Sequence, residues 1–176
     1  MPGPGRATTP WSAGRLLASA VVSTSEAALR VTFRDARRDD LERIVELIAD
    51  DAVAARRTGE FGPAHVAGFE AIQASPNDDL VVAELDGEVV GVMQLTYIPG
   101  IARNGATRLH VEAVRVDAQL RSQGIGRLLM DHAHARGRER GCALAQLTSD
   151  KQRPEAHRFY VSLGYAQSHE GFKLPL

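Results

Sequence analysis

Hydrophobic residues recur along this chain with two different periods, which separate predicted strands from predicted helices. The segment Leu80–Leu95 holds two β-branched runs on either side of Asp86-Gly87, a pair typical of a two-residue hairpin turn. Elsewhere the apolar residues follow the i, i+3, i+4, i+7 spacing of one helical face. The clearest such set is Leu41, Ile44, Val45 and Ile48.

The same patterns predict an α/β fold in which antiparallel strands come first and a strand–helix–strand crossover follows. The predicted strands are Arg30–Ala36, the hairpin, Thr107–Val116, Ala143–Ser149 and Gln167–Leu174. The predicted helices are Leu41–Ile48, His65–Ala74, Arg127–Arg140 and Pro154–Leu163. We therefore expect a mixed sheet with helices on both faces.

Three local features refine these predictions. Asp39 and Glu42 have the spacing of a capping box at the start of the first helix. Gly137 lies inside a predicted helix at a cost of about 1 kcal/mol relative to Ala, so we expect the last turns to fray. Residues 1–29 are rich in Pro, Gly, Ala, Ser and Thr, which predicts a disordered extension before one domain at 30–176.

Composition excludes several classes of protein. The net charge is −1, so nothing global favours a nucleic-acid or membrane partner, and any anion site must be local. No run approaches the roughly 18 apolar residues of a membrane-spanning helix. Cys142 is the single cysteine, which excludes a disulfide framework, and we expect a cytoplasmic protein.

The turn "RSQGIG" (Arg121–Gly126) places two glycines and strong donors between a predicted strand and a predicted helix. A helix start presents N–H groups without intrahelical acceptors, which makes it an anion site. The Lys-Ser/Thr pair of a Walker loop is absent, and Leu129 stands where a dinucleotide fingerprint has its third glycine. The pattern that remains is Arg/Gln-x-x-Gly-x-Gly.

This pattern resembles the signature of the GNAT superfamily of acetyl-CoA-dependent N-acetyltransferases. The resemblance rests on "VRVDAQLRSQGIGRLLM" (Val114–Met130) and on "AHRFYVSLGY" (Ala156–Tyr165), which flank one crossover unit in the family's order. The C-terminal stretch from Arg153 is similar to that of bacterial small-amine members, including aminoalkylphosphonate acetyltransferases. The resemblance implies the family's fold, with a mostly antiparallel sheet that often carries a bulge in the cofactor strand.

The resemblance also implies which residues bind acetyl-CoA. The backbone of Val114, Arg115 and Val116 would line the pantetheine arm. The pyrophosphate would be held by the N–H groups of Arg121, Ser122, Gln123, Gly124, Ile125, Gly126 and Arg127. The implied acceptor is a small-molecule amine, a homodimer is compatible with the family, and no metal is implied.

Two residues are the catalytic candidates. Tyr160 matches the family's helix tyrosine and would protonate the leaving thiolate, although its apolar neighbours also suit a core residue. Glu112 lies within a run of Val and Ala, which is unusual for a carboxylate, and is the candidate general base. An ion pair of Glu112 with Arg108 or Arg115 is the structural alternative, and His110 is an alternative base.

Other functions stay open from the sequence. The acceptor of the same reaction is either a small molecule or a protein amine, and a non-catalytic acyl-CoA-binding module has the same cofactor motif. The family sets acceptor choice in the segments that correspond here to Ala52–Ser75 and Ile98–Arg108. Arg103 and Arg108 in the second segment slightly favour an acceptor with a negative group.

Overall fold

The protein forms one five-stranded sheet in the order β1-β2-β3-β4-β5. The computed structural model describes residues 26–50 and 58–176. The strands are β1 Thr32–Asp35, β2 Asp78–Leu85, β3 Glu88–Ile98, β4 Arg108–Val116 and β5 Leu144–Leu147. Strands β1 to β4 pair in antiparallel fashion, and β4 pairs with β5 in parallel. The predicted mixed sheet is therefore confirmed.

Helices cover both faces of this sheet. They are α1 Glu26–Leu29, α2 Leu41–Ala49, α3 Pro63–Ala74, α4 Ile125–Glu139 and α5 Pro154–Ser162. The face that we call the α4 face buries Val81, Met93 and Leu109 against residues of α4 such as Leu129. The opposite face, called the α2 face, buries Leu80, Val82 and Val92 against α2 and α3. Successive apolar side chains of β2 thus point alternately into the cores on the two faces of the sheet.

The predicted hairpin joins β2 and β3 where expected. Asp86 and Gly87 have φ values of 53° and 89°, the left-handed backbone of a tight hairpin turn. A further predicted turn, Gly100–Ala106, contains one helical turn at Ala102–Gly105, interrupted by left-handed Arg103 and Asn104. None of the helices in the described parts of the chain is both long and apolar enough to cross a membrane.

Two details at the ends of helices differ from the predictions. The predicted capping box of Asp39 and Glu42 is not formed, and α2 has no side-chain hydrogen bond at its cap. Instead, a 3₁₀ turn at Arg38–Asp40 precedes the helix and carries its own cap, in which the Asp40 carboxylate accepts the Arg37 N–H at 2.7 Å. Helix α4 continues past Gly137 to Glu139, and a Cβ at Gly137 would lie 2.9 Å from Leu109 Cδ2, so glycine permits close packing on β4.

The predicted last strand, Gln167–Leu174, is wrong. The chain has no regular structure after Tyr165, because alternation alone forms no strand without a ladder partner, and β5 offers four residues. At the other end, residues 26–29 of the predicted disordered extension form α1, whose Ala28 is buried in the core. The rest of that extension, residues 1–25, lies outside the described residues, and the boundary at 30 stays a prediction.

Candidate active site

The two parallel strands of the crossover, β4 and β5, stop pairing before β4 ends. β4 pairs with β5 from Arg108 to Val111, where β5 ends at Leu147. β4 then continues from Glu112 to Val116, and only β3 among the described strands pairs with this stretch. An extended ligand with amide groups can therefore add to this edge of β4 as a strand would.

A bulge within β4 decides which side chains face which side of the sheet. Ala113 has a φ of 51°, and the register with β3 shifts between Val92 and Gln94. Without the bulge, His110, Glu112, Val114 and Val116 would share one face. With it, Val114 and Val116 pack into the core of the α4 face, and the two polar side chains stay on the α2 face.

The turn after β4 presents backbone amides at the start of α4. Ser122 and Gly124 have φ values of 62° and 94°, so this turn reverses direction through left-handed backbone. The N–H groups of Arg127 and Leu128 donate to the Gly124 carbonyl at 3.0 and 3.1 Å. The amides of Ile125 and Gly126 precede that first turn and have no acceptor within a helix. The turn therefore has the form of an anion site.

The two glycines of this turn differ in what the fold requires of them. Gly124 is required by its left-handed φ, and a Cβ there would meet nothing closer than Ala28 at 3.8 Å. Gly126 sits under α5, where a Cβ would contact the Phe159 ring at 3.4 Å. The fold therefore requires glycine at position 124, but neither the backbone nor the packing requires it at position 126.

The two arginines of the turn also differ. The Arg121 guanidinium pairs with Asp50 at 2.6 Å and donates to the Val116 carbonyl at 3.2 Å, so it holds the turn against α2. Arg127 is half-buried and makes no hydrogen bond or ion pair with the described residues. Of the two side chains, Arg127 is thus the one available to an anion.

A second ion pair that the sequence analysis missed also fixes this turn. Arg43 of α2 pairs with Asp117, which follows β4 directly, and donates to the Val89 carbonyl at 3.2 Å. Asp117 also accepts the Gln119 N–H at 2.9 Å. This backbone hydrogen bond and the nearby Arg43 cation hold the pKa of Asp117 below its usual value. No local pattern links Arg43 to Asp117, because they are far apart along the chain.

The candidate base lies at the point where the strands part. Glu112 is 52% exposed, and its carboxylate approaches His110 Nε2 at 3.6 Å rather than Arg108 or Arg115. The other ring nitrogen of His110 lies 3.4 Å from the Gln146 amide nitrogen. If Gln146 donates there, the neutral ring carries its proton on Nε2 and directs it towards Glu112. The exposed carboxylate oxygens then remain available as proton acceptors.

Tyr160 lies on α5, half-buried beside Phe159 and Tyr165. Burial raises the pKa of Tyr160, and the Arg153 and Arg115 cations only partly oppose this. The phenol is therefore protonated at neutral pH. Its hydroxyl makes no hydrogen bond to the described residues, so it is available to donate to a ligand.

His132, His134 and the cysteine have structural surroundings. His132 stacks on Phe33 at 4.8 Å, and His134 lies 2.8 Å from the Tyr165 hydroxyl. Cys142 packs at the edge of the core, and burial raises the pKa of its thiol. Within residues 26–50 and 58–176, no group of three His, Cys, Asp or Glu side chains is arranged to hold a metal ion.

The parted strands and the amide-rich turn define a protein that can hold an extended ligand with an anionic group. A family model described as Acetyltransferase (GNAT) family matches residues 41–165, and the chain belongs to this family. An aminoalkylphosphonate N-acetyltransferase of Salmonella typhimurium is 33% identical over 105 residues, which are 60% of this chain and 68% of that protein. The chain is an acetyl-CoA-dependent acetyltransferase.

Solved structures agree with this assignment of the fold. A protein of Bacillus halodurans C-125, described as a transcriptional regulator, is 42% identical with a TM-score of 0.80, and the match covers 83% of this chain and 99% of that one. Glucosamine-6-phosphate N-acetyltransferase of Arabidopsis thaliana has a TM-score of 0.67 at 17% identity, over 82% and 97% of the two chains. The second likeness concerns the fold alone.

Proposed function

We propose that this enzyme acetylates the primary amine of a small molecule by direct attack within a ternary complex. The observation that carries the proposal is the place where β4 and β5 part. There the free strand edge lies beside the amide-rich turn, the Glu112–His110 pair stands on one face of the sheet, and Tyr160 lies on α5 over the other.

The residues at this place fit acetyl-CoA, which supplies the acetyl group as a thioester. The edge of β4 from Val114 to Val116 would pair with the amides of the pantetheine arm. The amides of Arg121–Arg127, together with the Arg127 guanidinium, would hold the diphosphate. The left-handed Gly124 and the ion pairs of Arg43 and Arg121 hold this turn in its conformation.

Glu112 would accept the proton that the amine loses as its nitrogen bonds to the acetyl carbon. His110 would hold the carboxylate at the sheet surface, and its separation of 3.6 Å from Glu112 leaves the contact open to a bridging water. A base that acts through one water needs no direct contact with the acceptor. The structure therefore supports Glu112 as the acceptor of the proton and His110 as its positioning residue.

Tyr160 would donate its phenolic proton to the sulfur as the C–S bond breaks. The raised pKa keeps this proton in place at neutral pH, and the neighbouring cations stabilise the phenolate that the transfer leaves behind. The proton taken by Glu112 returns to Tyr160 through solvent. The relative that acts on aminoalkylphosphonates supports a small amine as the acceptor.

An assay of thiol release from acetyl-CoA against a panel of amines, including small amines and peptides, tests the proposal. We expect turnover with small primary amines. Glu112→Gln and Tyr160→Phe should lower kcat by about 10²–10⁴-fold, the usual contribution of one acid or base, with acetyl-CoA binding retained.

Tyr165→Phe is the matched control, because it removes a neighbouring phenol that contacts His134 instead of facing the ligand site. It should keep kcat. Failure of every amine, or turnover of peptides alone, would overturn the proposal. The homodimer that the family resemblance allows stays a prediction, which the molar mass of the chain in solution tests.

A further inference from the structure

We infer that the acceptor carries a negatively charged group in addition to its amine, and that Arg108 binds this group. The inference rests on the proposed function and names the substrate class of the same site. It comes from the order of charges along β4 and from the unusual state of one arginine.

Arg108 stands on the same face of β4 as the candidate base. It is the first residue of β4, two positions before His110 and four before Glu112, all ahead of the bulge. Its register partners are Ile98 on β3 and Leu144 on β5, so its neighbours across the sheet are apolar. With a rise of about 3.3 Å per residue, the backbone of Arg108 lies about 13 Å from that of Glu112.

The Arg108 guanidinium has no counter-charge. The residue is half-buried, and it makes no hydrogen bond or ion pair with the residues that the structure describes. By contrast, the half-buried Arg34, Arg43 and Arg136 each pair with a carboxylate. Arg127, the other arginine in the same state, lies where the diphosphate of acetyl-CoA is proposed to bind.

The carboxylates of Glu112 and Asp78, which lie on the same face as Arg108, have other partners. Glu112 contacts His110, and Asp78 on the same face accepts hydrogen bonds from Ser75 at 2.6 Å and from Thr96 at 2.5 Å. A cation at one end of the face and a carboxylate at the other match a zwitterion. Its ammonium group would lie near Glu112, and its anionic group would meet the side chain of Arg108, which extends several ångströms from β4.

Acceptors that differ only in the anionic group test the inference. The probes are 2-aminoethylphosphonate, taurine and β-alanine, with ethanolamine as the uncharged partner. In the parent enzyme we expect the anionic acceptors to have the higher kcat/KM. Arg108→Gln should lower their kcat/KM by about 10- to 100-fold, mainly through KM, since a charge-assisted hydrogen bond is lost.

The variant should leave the KM values of ethanolamine and acetyl-CoA unchanged. Arg108→Lys, which keeps the charge, should recover part of the loss. Arg103→Gln is the control for a general positive field, because this exposed arginine lies in the turn just before β4. It should have no effect on any acceptor.

Three results would overturn the inference: equal use of ethanolamine by the parent, an Arg108→Gln loss shared by ethanolamine or acetyl-CoA, or the same loss in Arg103→Gln. These results are distinct from a failure of the proposed function itself. In that case no small-molecule amine of any charge is acetylated, although acetyl-CoA binds.

Discussion

Replacing Gly124 with alanine tests whether the conformation of the turn before α4 is what binds the coenzyme. Gly124 has a φ of 94°, and a Cβ there would meet only Ala28, at an ordinary 3.8 Å. The substitution therefore costs conformational energy and creates no clash. For an L-residue in left-handed backbone this cost is about 1–2 kcal/mol.

The cost appears in one of two measurable places. If the turn keeps its conformation in Gly124→Ala, the free energy of unfolding falls by about 1–2 kcal/mol. If the turn relaxes, the binding of coenzyme A must restore it, and Kd rises by about 5- to 30-fold. Urea unfolding and titration calorimetry with coenzyme A measure the two effects, and together they should account for the full cost.

Gly126→Ala is the matched control. Its backbone is helical, and the new Cβ would contact the Phe159 ring at 3.4 Å, so it gains about 1 kcal/mol of helix propensity without steric conflict. We expect it to bind coenzyme A as the parent does. Parent-like stability and affinity in Gly124→Ala would refute the reasoning, as would an equal loss of affinity in both variants.

Three further predictions concern stability and the placement of the turn. Gly137→Ala should lower the free energy of unfolding in urea by up to about 2 kcal/mol, because the new Cβ, 2.9 Å from Leu109 Cδ2, overpacks the core by more than helix propensity gains. Gly68→Ala, whose Cβ would meet nothing within 4 Å, should raise it by about 1 kcal/mol. Changes of the same sign in the two variants would contradict this. Burial lowers the pKa of His132, so the unfolded chain binds more protons and the free energy of unfolding should fall as pH drops below 6.5. His132→Gln should reduce the slope of unfolding free energy against pH between pH 7 and 5. A steeper slope in the variant would contradict the prediction. Asp117→Ala should weaken coenzyme A binding more than Asp117→Asn, which keeps an acceptor for the backbone, and equal effects would show that the charge pair with Arg43 alone matters.

The parts of the fold that could be predicted from the sequence are those fixed by neighbours along the chain. The Asp86-Gly87 hairpin and the turn at Arg121–Gly126 depend on backbone conformations that a few adjacent residues decide. The last strand failed for the opposite reason. The alternation at Gln167–Leu174 concerns one segment alone, whereas a strand also needs a partner strand that supplies backbone hydrogen bonds. The neighbouring edge strand of the sheet, β5, is only four residues long.

The candidate site shows the same division between local and distant causes. The motif located the amide-rich turn, but it did not show that Arg121 would face Asp50, 71 positions earlier, leaving Arg127 for an anion. The sequence also placed Glu112 in an apolar strand without deciding among its partners. Glu112 and His110 precede the bulge at Ala113 and lie on the α2 face, whereas the bulge turns Val114 towards the α4 face, so a single left-handed residue separates the face of the candidate base from the core beneath the proposed cofactor strand. Arg108 also precedes the bulge and lies on the face of the candidate base, without a counter-charge among the described residues, so the alternation of side chains along β4 relates the proposed position of proton transfer to the proposed charge of the acceptor.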